Sequence, residues 1–171
     1  MNARDAYPPP VEQHTERHFA LTGRELDPRT VGLVAAAQTH LPTPKRATRA
    51  PAIAYTYSVA PERALWGCYR DRVLVAITGV ELRATSLWLH DIAVRSDLRR
   101  LGIAQRLLEF LRETYGDIAI EGNAALEAVP FFEACGFELA EFGRFRSGAP
   151  RTHVTLPAGR AVAHAAPAQV D

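Results

Sequence analysis

A chain of 171 residues, 47% of them hydrophobic, is long enough for one domain with an ordinary core and argues against disorder along its whole length. Twenty basic residues against nineteen acidic ones leave a formal charge of +1, which supplies no general field for nucleic acid or an anionic membrane, so whatever binds is recognised locally. Cys68 and Cys135 form no CxxC pair and have no histidine cluster beside them, which argues against a disulfide framework and a zinc site and fits reduced thiols in a cytoplasmic protein.

The stretch MNARDAYPPPVEQHTER lacks a hydrophobic signal core, and no run of about 18 apolar residues occurs, so neither secretion nor membrane spanning is expected. Residues 1–16, with three consecutive prolines, and residues 157–171, small and alanine-rich, read as tails around a folded domain over 17–156. HFALTG reads as a first strand. Asp27 then serves as an N-cap with Pro28 at the first helical position, and Val31, Val34 and Ala35 share a helix face. Residues 40–51, with three prolines and several basic side chains, read as a loop. LWGCY, the turn RDR and VLVAITGVEL form a hairpin, and SLWLHDIAV is a further strand. A helix with Ala104, Leu107, Leu108, Leu111 and Tyr115 on one face follows, then a short strand DIAIEG. LEAVPFFEACGF is a helix ending at Gly136, and FELAEFGRF with THVTLP closes as an antiparallel pair. The order predicts an α/β (α+β) fold with a mixed sheet and flanking helices.

Gly102 lies in the first turn of the long helix, where it costs about 1 kcal/mol relative to Ala. The unpaired N–H groups of a helix N-terminus form an anion site, and Gly102 and Ala104 leave no bulky side chain to obstruct a phosphate. Neither the dinucleotide fingerprint G-x-G-x-x-G nor the P-loop pattern is present.

The segment Arg99-Arg100-Leu101-Gly102-Ile103-Ala104, after the strand Ile92-Ala93-Val94, resembles the [QR]-x-x-G-x-[GA] acetyl-CoA motif of the GNAT superfamily of acyl-CoA-dependent N-acetyltransferases. Asn123 with AVPFFEACGF is similar to that superfamily's later motif, an Asn before a helix ending A-x-P-F-Y-x-x-x-G-F. Each motif alone is weak, and their order strengthens both. The resemblance spans about residues 65–146. It implies a GNAT fold with a mostly antiparallel sheet and acetyl-CoA as cosubstrate, without a metal. It further implies pyrophosphate held by the backbone of Leu101, Gly102, Ile103 and Ala104, with Arg99 and Arg100 adding charge. Ile92, Ala93, Val94 and Asn123 would line the pantetheine arm, with Phe131 and Phe132 beside it.

Acetylating an amine requires a base, because an ammonium group has no lone pair, and a donor assists the departing thiolate. Alternation on the strand puts Trp88, His90 and Ile92 on one face and Leu89, Asp91 and Ala93 on the other. A His-x-His-x-Leu-Ala-Val strand found within the superfamily places its second His at His90, with Trp88 in place of the first, so His90 leads as base. Glu81 and Asp91 stand in reserve; Asp91 serves only if a bulge turns it to the site, and is otherwise an exposed strand-edge carboxylate. The motif's usual Tyr, the thiolate donor, is replaced by Phe132, leaving Tyr55, Tyr57 or a water. With no nucleophile elbow visible, direct attack in a ternary complex is expected. Two readings follow: an N-acetyltransferase acting on a small-molecule or peptide amine, or a non-catalytic acyl-CoA-binding sensor of the same fold. No nucleic-acid or membrane partner is expected, and a homodimer is left open.

Overall fold

The computed structural model describes residues 16–21 and 27–164. Seven strands form one sheet: β1 (Glu16–Ala20), β2 (Arg63–Arg70), β3 (Val73–Leu82), β4 (Ser86–Val94), β5 (Ala119–Ala125), β6 (Glu138–Arg144) and β7 (Pro150–Leu156), in spatial order β1-β2-β3-β4-β5-β7-β6. Every pairing is antiparallel except that of β4 with β5. Four α-helices accompany it: α1 (Pro28–Ala37), α2 (Thr43–Val59), α3 (Ile103–Tyr115) and α4 (Val129–Ala134).

Local chemistry accounts for much of this. Asp27 caps α1, its carboxylate accepting the N–H groups of Arg29 and Thr30 at 2.8 Å, with Pro28 in the first turn. The β2–β3 hairpin turns through Asp71 and Arg72, both at positive φ, as a two-residue loop matched to strand twist requires. α3 carries its apolar face inward, with Leu107, Leu108 and Leu111 fully buried, each contributing about 1.5–3 kcal/mol of transfer free energy.

The sheet's two faces are covered differently. Leu33 and Val34 of α1 and Ala50, Ala54 and Tyr57 of α2 pack on Leu65, Ile77 and Ala93. Leu108 and Leu111 of α3, Phe132 of α4 and Cys135 just after it pack on Val80, Leu87, Leu89, Ile120, Val154 and Leu156.

Three expectations are corrected here. The proline-broken loop over 40–51 is largely the N-terminal half of α2: Pro44 lies in the first turn, where its missing N–H costs nothing, and Pro51 sits on the exposed side. The tail begins later than residue 157, because Val162 is 7% exposed in the α3/α4 core and Arg112 donates to the carbonyls of Pro157 and Arg160. Glu16, assigned to the leading tail, is paired in β1 opposite Arg70. Residues 1–15 and 165–171 lie outside the described residues, as does most of the end of the first predicted strand.

Two irregularities in the sheet create the site. β4 and β5 pair only from Ser86–Leu89 against Ala119–Gly122; beyond, β4 runs on against β3 and β5 against β7, so the sheet splits. Gly122 allows the last close approach, since a Cβ there would lie 2.9 Å from the Leu89 carbonyl oxygen. The second irregularity is a bulge: Gly79 opposes Asp91 and Val80 opposes Leu89, leaving His90 as the extra residue.

Candidate active site

The split between β4 and β5 is a cleft. Its walls are Leu89, His90 and Ile92 of β4, Gly122 to Ala125 of β5, and Ala128 and Phe132 around α4. Gln38, Thr39 and His40 from the end of α1 and Phe145 after β6 close one side. The His40 and Phe145 rings stack with centroids 4.2 Å apart, and Ser147 Oγ donates to the His40 carbonyl at 3.2 Å, joining the α1–α2 loop to the β6–β7 hairpin.

The bulge decides where the β4 side chains go. Without it Leu89 and Asp91 would share a face, as alternation predicts; instead Leu89 enters the α3/α4 core and Asp91 turns toward α1 and α2. His90 between them stays exposed beside the cleft. Its Nε2 lies 2.8 Å from Glu81 Oε2, and Glu81 also accepts from Arg63 at 2.9 and 3.1 Å and from Arg83 at 3.1 Å. The hydrogen bond with His90, with those from Arg83 and Arg63, outweighs burial and holds the Glu81 carboxyl down to about 2. An ionised Glu81 can only accept, so His90 Nε2 carries a proton, and in the neutral imidazole the lone pair is on Nδ1.

Asp91 is not an exposed strand-edge carboxylate, nor does the bulge aim it at the cleft. It is 2% exposed, and it accepts hydrogen bonds from Tyr57 Oη and Gln38 Nε2. Burial pushes its carboxyl upward, against the two donors, and burial together with the Asp91 charge pushes the Tyr57 hydroxyl up as well. Gly79 makes the arrangement sterically possible, because a Cβ there would collide with Tyr57 Oη. Tyr57 is therefore committed to Asp91, and Tyr55 is 60% exposed on α2; neither lines the cleft. Sealed behind these donors, Asp91 fixes Gln38, a cleft-lining residue, to the β4 strand.

At the other end of β4 the chain passes through a short 3-10 turn, Ser96–Leu98, into α3. Gly102 is not in the first helical turn but is the N-cap itself, at φ +73°, following Arg100 at φ +65°. Glycine suits that left-handed conformation, and no side chain caps the helix. Ile103 is buried against Cys68, Val75, Ala76 and Leu107, while Leu101 is half exposed and Arg99 and Arg100 are exposed. Arg106, one turn on, donates to the Leu101 carbonyl at 3.1 Å and is clamped by Glu16 at 2.7 and 2.8 Å. Ala93 and Val94 lie on β4 between this turn and the bulge, Ala93 buried and Val94 partly so.

Asn123 reaches the cleft from β5, its Oδ1 accepting from Arg151 Nη1. Phe132 is 5% exposed, edge-on to Phe131 and Phe137, yet it also forms cleft wall. Cys135 beside it is fully buried, its thiol pushed up to about 12 by desolvation; Cys68 is likewise buried, and both are free. Gln38, Thr39, His40, Phe145 and Arg151 are site residues that the sequence did not single out. Each lies on a loop or an opposed strand with no local pattern pointing to the cleft.

No group of three or more His, Cys, Asp or Glu among the described residues is placed to hold a metal ion, and no helix among them is long and apolar enough to cross a membrane.

Residues 43–156 match the family model of the acetyltransferase (GNAT) domain, and the chain belongs to that family. Its fold is shared by an acetyltransferase of Thermus thermophilus, with a TM-score of 0.62 at 20% identity over 84% of this chain and 99% of the other. A GNAT family acetyltransferase of Elizabethkingia anophelis, solved with acetyl-CoA bound, has a TM-score of 0.62 at 10% identity, covering 83% and 97% of the two chains. A Bacillus subtilis acetyltransferase in complex with CoA has a TM-score of 0.60 at 14% identity, covering 84% and 99%. No curated protein sequence matches the chain.

Proposed function

We propose that the protein transfers the acetyl group of acetyl-CoA to a primary amine of a small molecule or peptide, by direct attack in a ternary complex. The observation that carries this reading is the split between β4 and β5, with the uncapped N-terminus of α3 beyond one end of β4 and the His90–Glu81 pair at the bulge. The N–H groups from Leu101 to Ala104 hold the pyrophosphate, assisted by the dipole of α3 and by Arg99 and Arg100. β4 beyond the bulge, from Ile92 to Val94, has lost β5 as a partner and offers its edge to the pantetheine amides, with Asn123 and Phe132 across the cleft and Phe131 edge-on to Phe132 behind. The thioester then lies near His90.

His90 Nδ1 takes the proton from the ammonium group, directly or through a water, and Glu81 stabilises the imidazolium that forms. The amine nitrogen attacks the thioester carbonyl, the tetrahedral intermediate collapses with cleavage of the C–S bond, and the proton still carried by the nitrogen passes to the departing sulfur, leaving the amide and CoA thiol. Glu81 acts through His90 and is a poor base itself, because three hydrogen-bond partners hold its carboxyl down to about 2 and leave it little affinity for a proton. The test is release of CoA thiol on mixing acetyl-CoA with candidate amines. Amine-dependent release supports transfer, whereas tight acetyl-CoA binding with no release for any amine favours the non-catalytic sensor, a reading that Phe132 in place of a hydroxyl donor keeps alive.

Phe132→Tyr restores that donor. Because the ring is both core and cleft wall, the variant is expected to fold and to gain modestly in turnover, most clearly at low pH, where thiolate departure is hardest. General-acid assistance is worth about 10²–10⁴ at most, and a thiol near 8.5 already leaves fairly well. A loss of about 1–3 kcal/mol of stability with no gain in rate would show the hydroxyl unpaired in the core and refute the placement of Phe132 beside the sulfur.

A further inference from the structure

Around the His40–Phe145 stack that closes one side of the cleft, basic side chains come from two separate elements, although the chain as a whole is nearly neutral. On one side α2 presents Lys45 and Arg49, exposed, and Arg46, which donates to the carbonyls of Thr39 and Leu41. On the other side the β6–β7 hairpin presents Arg144 and Arg146, exposed, with Arg151 bonded to Asn123 in the cleft wall. None of these six has a carboxylate partner among the described residues.

The two sides meet at the His40–Phe145 stack. Arg146 lies between Phe145 and Ser147, the two hairpin residues that touch His40. Arg49 and Arg46 come near enough that their charges, after burial, hold the His40 imidazole below its ordinary range; Glu127, exposed before α4, opposes them. Basic side chains that flank the stack from both elements with no carboxylate to balance them favour a compact anion beside it. Glu81, by contrast, has its charge consumed by Arg63, Arg83 and His90 and offers little to a cationic acceptor.

Resting on the acetyltransferase reading, we infer that the acceptor amine carries an anionic group, a carboxylate or a phosphate, that docks between Arg49 and Arg146 while its nitrogen reaches His90.

Three matched pairs of amines test it by CoA thiol release: O-phosphoethanolamine against ethanolamine, β-alanine against β-alaninamide, and the amidated tetrapeptide Ala-Asp-Glu-Gly against Ala-Asn-Gln-Gly. The anionic member of at least one pair should show kcat/KM about tenfold or more above its neutral partner, with the preference shrinking as salt shortens the screening length from about 10 Å at 0.1 M. Which pair shows it tells phosphate from carboxylate. In the Arg49→Ala, Arg146→Ala double variant the ratio within that pair should fall toward one. The inference is overturned if neutral members are preferred, if 1,3-diaminopropane outcompetes all six, if the double variant keeps the ratio, or if none of the anionic probes is acetylated or bound in the presence of CoA. Failure of acetyl-CoA itself to bind in calorimetry would instead overturn the acetyltransferase reading.

Discussion

Gly102→Glu is expected to bind acetyl-CoA at least about 100-fold more weakly than the wild-type protein, measured by calorimetry, while remaining folded. Two effects combine at this position. The backbone sits at φ +73°, so any L side chain costs about 1–2 kcal/mol, and a Cβ would lie 2.9 Å from Arg106 Nη1, the movable end of a side chain. A carboxylate here also faces the site proposed for two phosphates. Unit charges about 4 Å apart near a protein surface interact with roughly 4 kcal/mol, enough to exceed the loss claimed. Arg106 already shares its charge with Glu16 through Nε and Nη2, so its Nη1 offsets the new charge only in part. Gly102→Ala separates the effects, since it carries the backbone strain without the charge and should bind far better than the Glu variant. Unchanged affinity in a folded Gly102→Glu protein would sink the assignment of the α3 N-terminus to pyrophosphate.

The passage from β4 into α3 was legible because its determinants are local: six consecutive residues, a preceding apolar strand and a following amphipathic helix. The Asp27 cap and the Asp71–Arg72 hairpin were legible for the same reason. α2 was not, because Pro44 and Pro51 read as breakers; Pro44 stands in the first turn, where it is tolerated, but Pro51 lies inside the helix, and the buried face Ala50, Ile53, Ala54 and Tyr57 straddles it. The bulge at His90 was not legible either. A one-residue insertion leaves the alternating pattern of β4 unaltered in sequence, yet it sends Asp91 to partners 34 and 53 residues away. The closed side of the cleft, His40 against Phe145, likewise depends on two distant loops meeting, which no local pattern encodes.

His90→Ala tests the chemistry rather than the cofactor. Turnover at neutral pH should fall by about 10²-fold or more while acetyl-CoA affinity stays close to that of the wild type, because His90 is placed at the thioester end of the cleft and not along the pyrophosphate. Removing His90 also frees one of the bonds to Glu81, but Arg63 and Arg83 still hold that carboxylate, so the sheet should tolerate the change and thermal stability should move little. If turnover survives in His90→Ala, His90 is a structural partner of Glu81. The role would not then pass to the reserve carboxylates, because the arginines on Glu81 leave its carboxylate little affinity for a proton and Asp91 is sealed behind Tyr57 and Gln38. The proton would have to leave through water alone, and a profile set by the amine's own pKa, shifting from one acceptor to another, would show it.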